Sequence, residues 1–174
     1  MTGKDFFRAV VNGKKDVIGL MLKLLKDASA DYCLVGGLAV NAYVEPVVSL
    51  DLDMVVISSG LEPLCRAARA AGFSVERFAR SVNLSIPESD VRIQLQTDSR
   101  YQEFIPRART ETVLGYTMRV AAIEDVLQGK LWAYSDATRR GSKRQKDLAD
   151  IMRLVESRPS LAAMLPDEVT RALT

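Results

Sequence analysis

Residues 32–57, YCLVGGLAVNAYVEPVVSLDLDMVVI, contain the pattern that decides the fold. Residues 32–35 form a short apolar run rich in β-formers, which predicts a strand that stops at Gly36 and Gly37. Residues 38–43 are long enough for a brief helix before the chain turns again at a proline. The stretch therefore predicts a strand, a glycine turn, a short helix and then a second strand.

The second strand opens with two carboxylates. Asp51, Asp53 and Val55 share one face of it, because side chains alternate along a strand with a period of two. Adjacent carboxylates raise each other's pKa unless a positive charge lies between them. A divalent metal supplies that charge, and Mg²⁺ binds a few carboxylates together with phosphate oxygens. We therefore predict that Asp51 and Asp53 bind Mg²⁺ or Mn²⁺, beside a glycine turn whose N–H groups face a phosphate. The alternative is a solvent-facing strand with two acids of no function.

The amino-acid composition limits the class of protein and the chemistry that it can carry out. The 174 residues are 48% apolar and 26% charged, which is typical of a soluble globular protein with one compact domain or a core with a small appendage. The chain has no histidine, which excludes histidine-based triads and histidine-bound zinc. Cys33 and Cys65 are expected to be two buried thiols. We expect a cytoplasmic protein with no membrane contact, because the longest apolar stretch is interrupted by Lys23 and no signal segment precedes it.

Hydrophobic periodicity predicts an α/β (α+β) order of elements in the remaining chain. Residues 1–120 form the predicted core, and residues 121–174 form a C-terminal helical segment packed on it. The predicted helices are residues 4–28 with a break at 12–13, 62–71, 123–140, 143–156, 161–165 and 167–173. The predicted strands are residues 82–86 and 91–96, followed by an irregular connection over 97–111 and a hairpin over 112–120 with its turn at 115–116.

The order of strand, Gly-Gly, helix and D-x-D strand resembles the nucleotidyltransferase superfamily related to DNA polymerase beta. The sequence LVGGLAVNAY…SLDLDMVV is similar to the corresponding sequence of the abortive-infection nucleotidyltransferase toxins of the AbiEii type. That resemblance implies a mixed β-sheet flanked by helices, in which Gly36, Gly37 and Ser49 approach the triphosphate of an NTP. It also implies transfer of an NMP to a hydroxyl of RNA such as tRNA, a protein or a small molecule. The expected partners of a toxin–antitoxin or phage-defence component include an antitoxin protein.

A basic segment in the C-terminal helices extends the resemblance. The chain carries Lys130, Arg139, Lys146-Asp147 and Asp150, which is similar to the K…R…KD..D pattern of the same toxins. The resemblance implies that Lys130 reaches the phosphates, that Asp147 orients this lysine or the substrate, and that Arg139 adds charge along the channel. Composition agrees, because residues 130–146 include six basic residues and one acid, Asp136, which gives a field suited to a triphosphate or an RNA backbone. The alternative is a salt-bridged surface in which Lys146 pairs with Asp150.

Two departures weaken the resemblance. Gln94 or Gln96 stands where the superfamily carries a third acid, and an amide is a weak, uncharged metal ligand. Val47 stands where the toxins often carry an arginine, and only the hydroxyl of Ser49 remains from that motif. The second hypothesis is therefore a catalytically impaired member of the fold that still binds nucleotide or RNA.

Arginine alternates with aromatic residues in the connection over residues 97–111. Arg100, Arg107 and Arg109 lie around Tyr101 and Phe104. Such a pattern can bind phosphates and stack on bases. The alternative is a solvated loop in which the two aromatic side chains act as anchors.

Overall fold

Seven β-strands form the centre of the molecule. The structure is a computed structural model and describes residues 4–5 and 15–174. The strands are β1 (Tyr32–Val35), β2 (Asp51–Val56), β3 (Ser74–Arg77), β4 (Ser81–Ser85), β5 (Arg92–Gln96), β6 (Arg109–Val113) and β7 (Tyr116–Val120). They form one mixed sheet in the order β3-β4-β5-β2-β1-β7-β6. The predicted mixed sheet is therefore confirmed.

The acid-bearing strand β2 lies in the middle of this sheet. It runs antiparallel to β1 and parallel to β5. In this register Asp53 lies between Val35 on β1 and Gln94 on β5, and Asp51 lies beside Arg92. The alternate residues of the two strands point to the other face and are completely buried: Leu52, Met54, Ile93 and Leu95. One face of β2 is thus fixed in the core, which forces both acids onto the opposite face.

Helices flank the sheet. The α-helices are α1 (Val17–Asp27), α2 (Gly36–Val40), α3 (Ser58–Ala70), α4 (Phe104–Arg107), α5 (Ile123–Ser135), α6 (Gly141–Ser157) and α7 (Asp167–Leu173). Two 3₁₀ helices cover Ser99–Glu103 and Pro159–Met164. Helix α1 contacts α3, whereas α5 and α6 contact each other and α2. The two long C-terminal helices therefore lie over the glycine-containing part of the core.

The predicted break between the two C-terminal helices was misplaced. Helix α5 ends at Ser135 rather than at residue 140. Asp136 adopts an extended conformation, and its Oδ1 accepts hydrogen bonds from N and Oγ1 of Thr138 at 2.9 and 2.7 Å. This local turn competes with the helix. Helix α6 begins at Gly141, so the break lies at residues 136–140 and not at the predicted Gly141-Ser142.

Other predicted boundaries also differ. The irregular connection contains the first 3₁₀ helix, α4 and the start of β6. The hairpin turn is Leu114-Gly115 rather than the predicted residues 115–116, and both residues have positive φ, 52° and 80°. Helix α3 begins four residues before the predicted start, at Ser58. Residues 6–14, with the predicted break at 12–13, lie outside the described residues. No helix within the described ranges is long and apolar enough to cross a membrane.

Candidate active site

A polar cleft lies between the acid-bearing face of β2 and helices α5 and α6. Two adjoining cavities form it, and they share Asp51, Asp53, Lys130, Arg139, Lys143 and Asp147. We call this space the acid cleft. All eight residues predicted for the site line it: Gly36, Gly37, Ser49, Asp51, Asp53, Lys130, Arg139 and Asp147. The structure thus brings the two sequence motifs together, whereas the role of each residue stays a prediction.

The glycine bend packs directly against the second acid. Gly36 has a φ of +70°, and a Cβ added there would lie 2.3 Å from Oδ2 of Asp53. A Cβ on Gly37 would meet only the Oγ of Ser49, at 3.8 Å. Residue 36 must therefore be glycine for two reasons, the backbone conformation and the close approach of the carboxylate.

The first acid already contacts two cations. Oδ1 of Asp51 lies 2.8 Å from Nη2 of Arg92, and its Oδ2 lies 3.4 Å from Nζ of Lys143. Arg92 is Asp51's neighbour on β5, whereas Lys143 comes from the first turn of α6. Neither residue was predicted for the site. Both are partly solvent-exposed, so these pairs are open to exchange with another cation.

The second acid has no such partner. No ion pair or hydrogen bond to the carboxylate of Asp53 is found within the described part of the chain. Burial raises the pKa of Asp53 to about 6, Lys130 opposes that shift and the charge of Asp51 adds to it. The site therefore holds a carboxylate whose negative charge is not fully compensated, and a bound cation would compensate it.

An amide lies beside the second acid. Gln94 is the direct neighbour of Asp53 on β5, and Gln96 lies beside Val55. Within the described residues, no group of three or more histidine, cysteine or acidic side chains is arranged to hold a metal. Asp51 and Asp53 nevertheless fit Mg²⁺, which often takes only one or two carboxylates and completes its shell with substrate phosphates and water.

Lys130 lies in a network of charges under the acid cleft. Its Nζ is 3.2 Å from Oδ1 of Asp147 and 2.7 Å from Oδ2 of Asp150. Nε of Arg139 lies 2.6 Å from the other oxygen of Asp147. Burial lowers the pKa of Lys130, but Asp150 and Asp147 together outweigh it and raise the pKa above its usual value. Lys130 therefore remains an ammonium group that is ion-paired with Asp147 and Asp150.

Salt bridges join the packed helices α5 and α6, as the alternative held, but its pairing of Lys146 with Asp150 is wrong. Asp150 instead binds Lys130 and the guanidinium of Arg153, whose Nη1 lies 2.8 Å from Oδ1. Asp150 is partly buried where α5 and α6 meet, and it shares the ammonium group of Lys130 with Asp147. Lys146 is exposed and lines the acid cleft.

Helix α6 supplies positive charge that the sequence motif lacks. Val47 is 55% exposed, and the side chain of Asn41 binds both its backbone N–H and its C=O. Opposite it, Lys143, Lys146 and Arg153 line the same cavity. Sequence analysis missed Lys143 and Arg153, and it named Lys146 only within the basic segment and as a partner of Asp150. Lys143, Lys146 and Arg153 lie on either side of Asp147 at helical spacing, and this periodicity is the signal that could have found them.

Comparisons with known proteins identify the fold. No protein-family model matches the chain, and no curated protein matches it by sequence. The lincosamide antibiotic adenylyltransferase LnuA, solved with lincomycin bound, is 11% identical with a TM-score of 0.58 and covers 82% of this chain and 99% of its own. ANT(2″)-Ia in complex with adenylyl-2″-tobramycin is 14% identical with a TM-score of 0.59, over 85% and 96% of the two chains.

A third similar structure is an antigenic nucleotidyltransferase-like protein from Paracoccidioides brasiliensis. It is 18% identical with a TM-score of 0.53 and covers 99% of this chain and 94% of its own. These similarities extend over nearly the whole length of each chain. The protein therefore has the nucleotidyltransferase fold, as the order of its first motifs predicted.

Proposed function

We propose that the protein is a metal-dependent nucleotidyltransferase that moves an NMP from an NTP to an acceptor hydroxyl. The observation that carries this proposal is that Asp51, Asp53, Gly36 and Lys130 line one cleft, although 77 residues of sequence separate the last acid from the lysine. The fold supports the proposal, because two similar structures are antibiotic adenylyltransferases.

Asp51 and Asp53 would hold Mg²⁺ or Mn²⁺. When bound, such an ion neutralises phosphate oxygens and stabilises charge on the leaving group. The raised pKa of Asp53 supports a cation site, because a partly buried carboxylate without an ion pair is unfavourable unless a positive charge is nearby. Arg92 and Lys143 compensate Asp51 until the metal and the nucleotide arrive.

The NTP would bind along the wall of the acid cleft that Val47, Ser49 and helix α6 form. Lys143, Lys146 and Arg153 give this wall a positive charge suited to a triphosphate. Lys130 would stabilise the charge that builds on pyrophosphate as it leaves. It is suited to this role because Asp147 and Asp150 fix its position and keep it protonated.

The acceptor and the biological role rest on the resemblance to AbiEii-type toxins. It favours an acceptor hydroxyl on RNA or protein, and a toxin of a toxin–antitoxin or phage-defence pair that an antitoxin protein neutralises. The two antibiotic adenylyltransferases of the same fold make a small-molecule acceptor the other option.

A second candidate function is nucleotide binding without transfer. Gln94 beside Asp53 favours it, because the amide replaces a charge that would help bind metal or remove a proton. The ion pairs of Asp51 with Arg92 and Lys143 also favour it, because they compete with a metal.

A transfer assay separates the two candidates. The protein is incubated with each α-labelled NTP, Mg²⁺ or Mn²⁺, total tRNA and a protein extract. We expect metal-dependent label on one acceptor, and its loss in the double variant Asp51→Ala/Asp53→Ala. Asp90→Ala, which removes an exposed acid outside the cleft, is the matched control. NTP binding that needs both aspartates, without label transfer, would support the second candidate. If the protein neither binds NTP nor transfers label, both candidates are contradicted.

A further inference from the structure

A second cavity opens beside the acid cleft. We propose that it is the acceptor subsite and that it takes the terminal nucleotide of a single-stranded nucleic acid. This inference rests on the proposed nucleotidyl transfer and names its acceptor. The cavity, which we call the side cavity, has a volume of about 830 Å³ and lies among β5, the first 3₁₀ helix and the end of α5. That volume is within the usual range of small-molecule sites.

The side cavity adjoins the metal-binding acids. It shares five lining residues with the acid cleft: Gln94, Gln96, Tyr101, Ala133 and Arg139. Gln94 is also the strand neighbour of Asp53. An acceptor bound here therefore presents its terminal hydroxyl towards a nucleotide in the cleft. The hydroxyl oxygen would bond to the α-phosphorus, the bond from that phosphorus to the bridging oxygen would break, pyrophosphate would leave, and the hydroxyl proton would pass to solvent.

A flat platform forms one wall of the side cavity. The guanidinium of Arg100 lies over the ring of Trp132, 4.4 Å from its centroid. Asp98 holds it with hydrogen bonds from Nε and Nη2 of 3.1 and 2.8 Å. The ring of Phe104 is stacked on that of Trp132, with 5.6 Å between the two ring centroids and an angle of 5° between the ring planes. Nucleobases stack on fixed guanidinium planes of this kind. Of Arg100, Arg107 and Arg109, only Arg100 lines the side cavity.

Amide side chains form part of the floor. Gln94 and Gln96 lie on the same face of β5, and neither amide makes a hydrogen bond to another side chain within the described residues. Each amide offers donors and an acceptor, the combination that recognises the edge of a base. The glutamines that weaken metal binding are therefore suited to hold an acceptor base.

The charges of the side cavity favour an anionic acceptor over a polycationic one. Of its two carboxylates, Asp98 is ion-paired with Arg100, whereas Asp136 accepts hydrogen bonds from Thr138 and keeps its charge. Arg80, at the same cavity, has no ion pair within the part of the chain that the structure describes. A polycationic acceptor such as an aminoglycoside would meet three arginines here and only one carboxylate without an ion pair. An acceptor with a phosphate next to its terminal base would use Arg80 instead.

Trp132 allows a direct test, because it is the only tryptophan of the chain. Its fluorescence is titrated with short single-stranded RNA and DNA oligonucleotides of the same sequence, without NTP or metal. We expect saturable quenching. Arg100→Lys keeps the charge but loses the plane, and should weaken binding about tenfold. Arg80→Ala should reduce the slope of log K against log salt by about 0.7. Arg66→Ala, on the exposed side of α3, is the matched control and should change neither.

Absence of quenching, or equal affinity in wild type, Arg100→Lys and Arg80→Ala, would overturn the proposal. The proposal would also be overturned if tobramycin or a serine-containing peptide bound saturably at Trp132 while neither oligonucleotide bound. Because the titration contains no NTP and no metal, it does not depend on catalysis. A protein without transferase activity that still binds the oligonucleotide would contradict the proposed function and leave the subsite standing. Arg80 is exposed, so its variant is expected to fold even where Arg100→Lys does not.

Discussion

Gly36 and Asp53 lie so close together that a Cβ on residue 36 would be 2.3 Å from the carboxylate oxygen Oδ2. The antiparallel pairing of β1 with β2 creates this contact, because it sets Val35 opposite Asp53 and brings the following glycine over the acid. The glycine bend and the acid pair are therefore one structural unit.

Gly36→Ala should displace the Asp53 side chain and weaken metal-dependent nucleotide binding. The free energy of unfolding should also fall by about 1–3 kcal/mol, because alanine is strained at a φ of +70°. Denaturant unfolding and Mn²⁺ titration measure the two effects. Gly37→Ala is the matched control, because the nearest atom to its Cβ would be 3.8 Å away. Equal effects of the two variants would show that the contact with Asp53 is unimportant.

Lys130→Ala should destabilise the fold as well as reduce activity. It would leave Asp147 and Asp150 with one buried cation fewer, and breaking a buried pair costs about 3–5 kcal/mol. Chemical denaturation measures this loss. Lys146→Ala removes an exposed charge from the same cleft and should change stability by no more than about 0.5 kcal/mol. A Lys130→Ala protein as stable as wild type would contradict the network described for α5 and α6.

Asp53→Asn should stabilise the metal-free protein at neutral pH. The pKa of Asp53 is raised by burial from 3.8 to about 6, so the folded state holds its proton more tightly than the unfolded state. Below pH 4 both states are protonated and the variant gains nothing. Wild-type stability then falls as the pH rises from 4 to 6 and stays lower above that. By pH 8 the free energy of unfolding of the variant should exceed that of wild type by on the order of 2–3 kcal/mol. Thermal unfolding of both proteins at a series of pH values, with a chelator present, measures this difference. A stability difference that does not change with pH would refute the raised pKa of Asp53.

Gln94→Glu should tighten metal binding, because it adds a carboxylate next to Asp53 in the register of β2 and β5. We expect about tenfold higher affinity for Mn²⁺, equivalent to about 1.4 kcal/mol. Calorimetry with NTP present measures it. Gln96→Glu is the control, because Gln96 pairs with Val55 rather than with an acid. If both variants bind alike, Gln94 does not occupy the place of the missing acid.

Local patterns predicted the central strands and both halves of the site. The alternation of Asp51 and Asp53 with buried Leu52 and Met54 predicted the acid face, because period-two burial is a local property of a strand. Lys130 and Asp147 were implied by the resemblance to the AbiEii-type pattern, and both side chains line the acid cleft. In these regions local propensity and tertiary packing agree.

The contacts of Asp51 could not be predicted in the same way. Arg92 reaches it only because β5 lies parallel to β2, and Lys143 reaches it only because α6 folds over the sheet. Both depend on packing between distant segments, which periodicity does not encode. The early end of α5 was missed for a local reason, because the hydrogen bonds from Thr138 to Asp136 outweighed the helical pattern.

Mn²⁺ binding in the presence of a non-hydrolysable NTP, followed by electron paramagnetic resonance, tests the central claim most directly. Asp51 and Asp53 should each be needed, and Asp53→Asn should abolish the bound signal while the protein stays folded. Binding to wild type should weaken about tenfold per pH unit below the Asp53 pKa of about 6, because the proton competes with the metal. Mn²⁺ affinity that is unchanged in Asp53→Asn would contradict the assignment of this acid pair as a metal site.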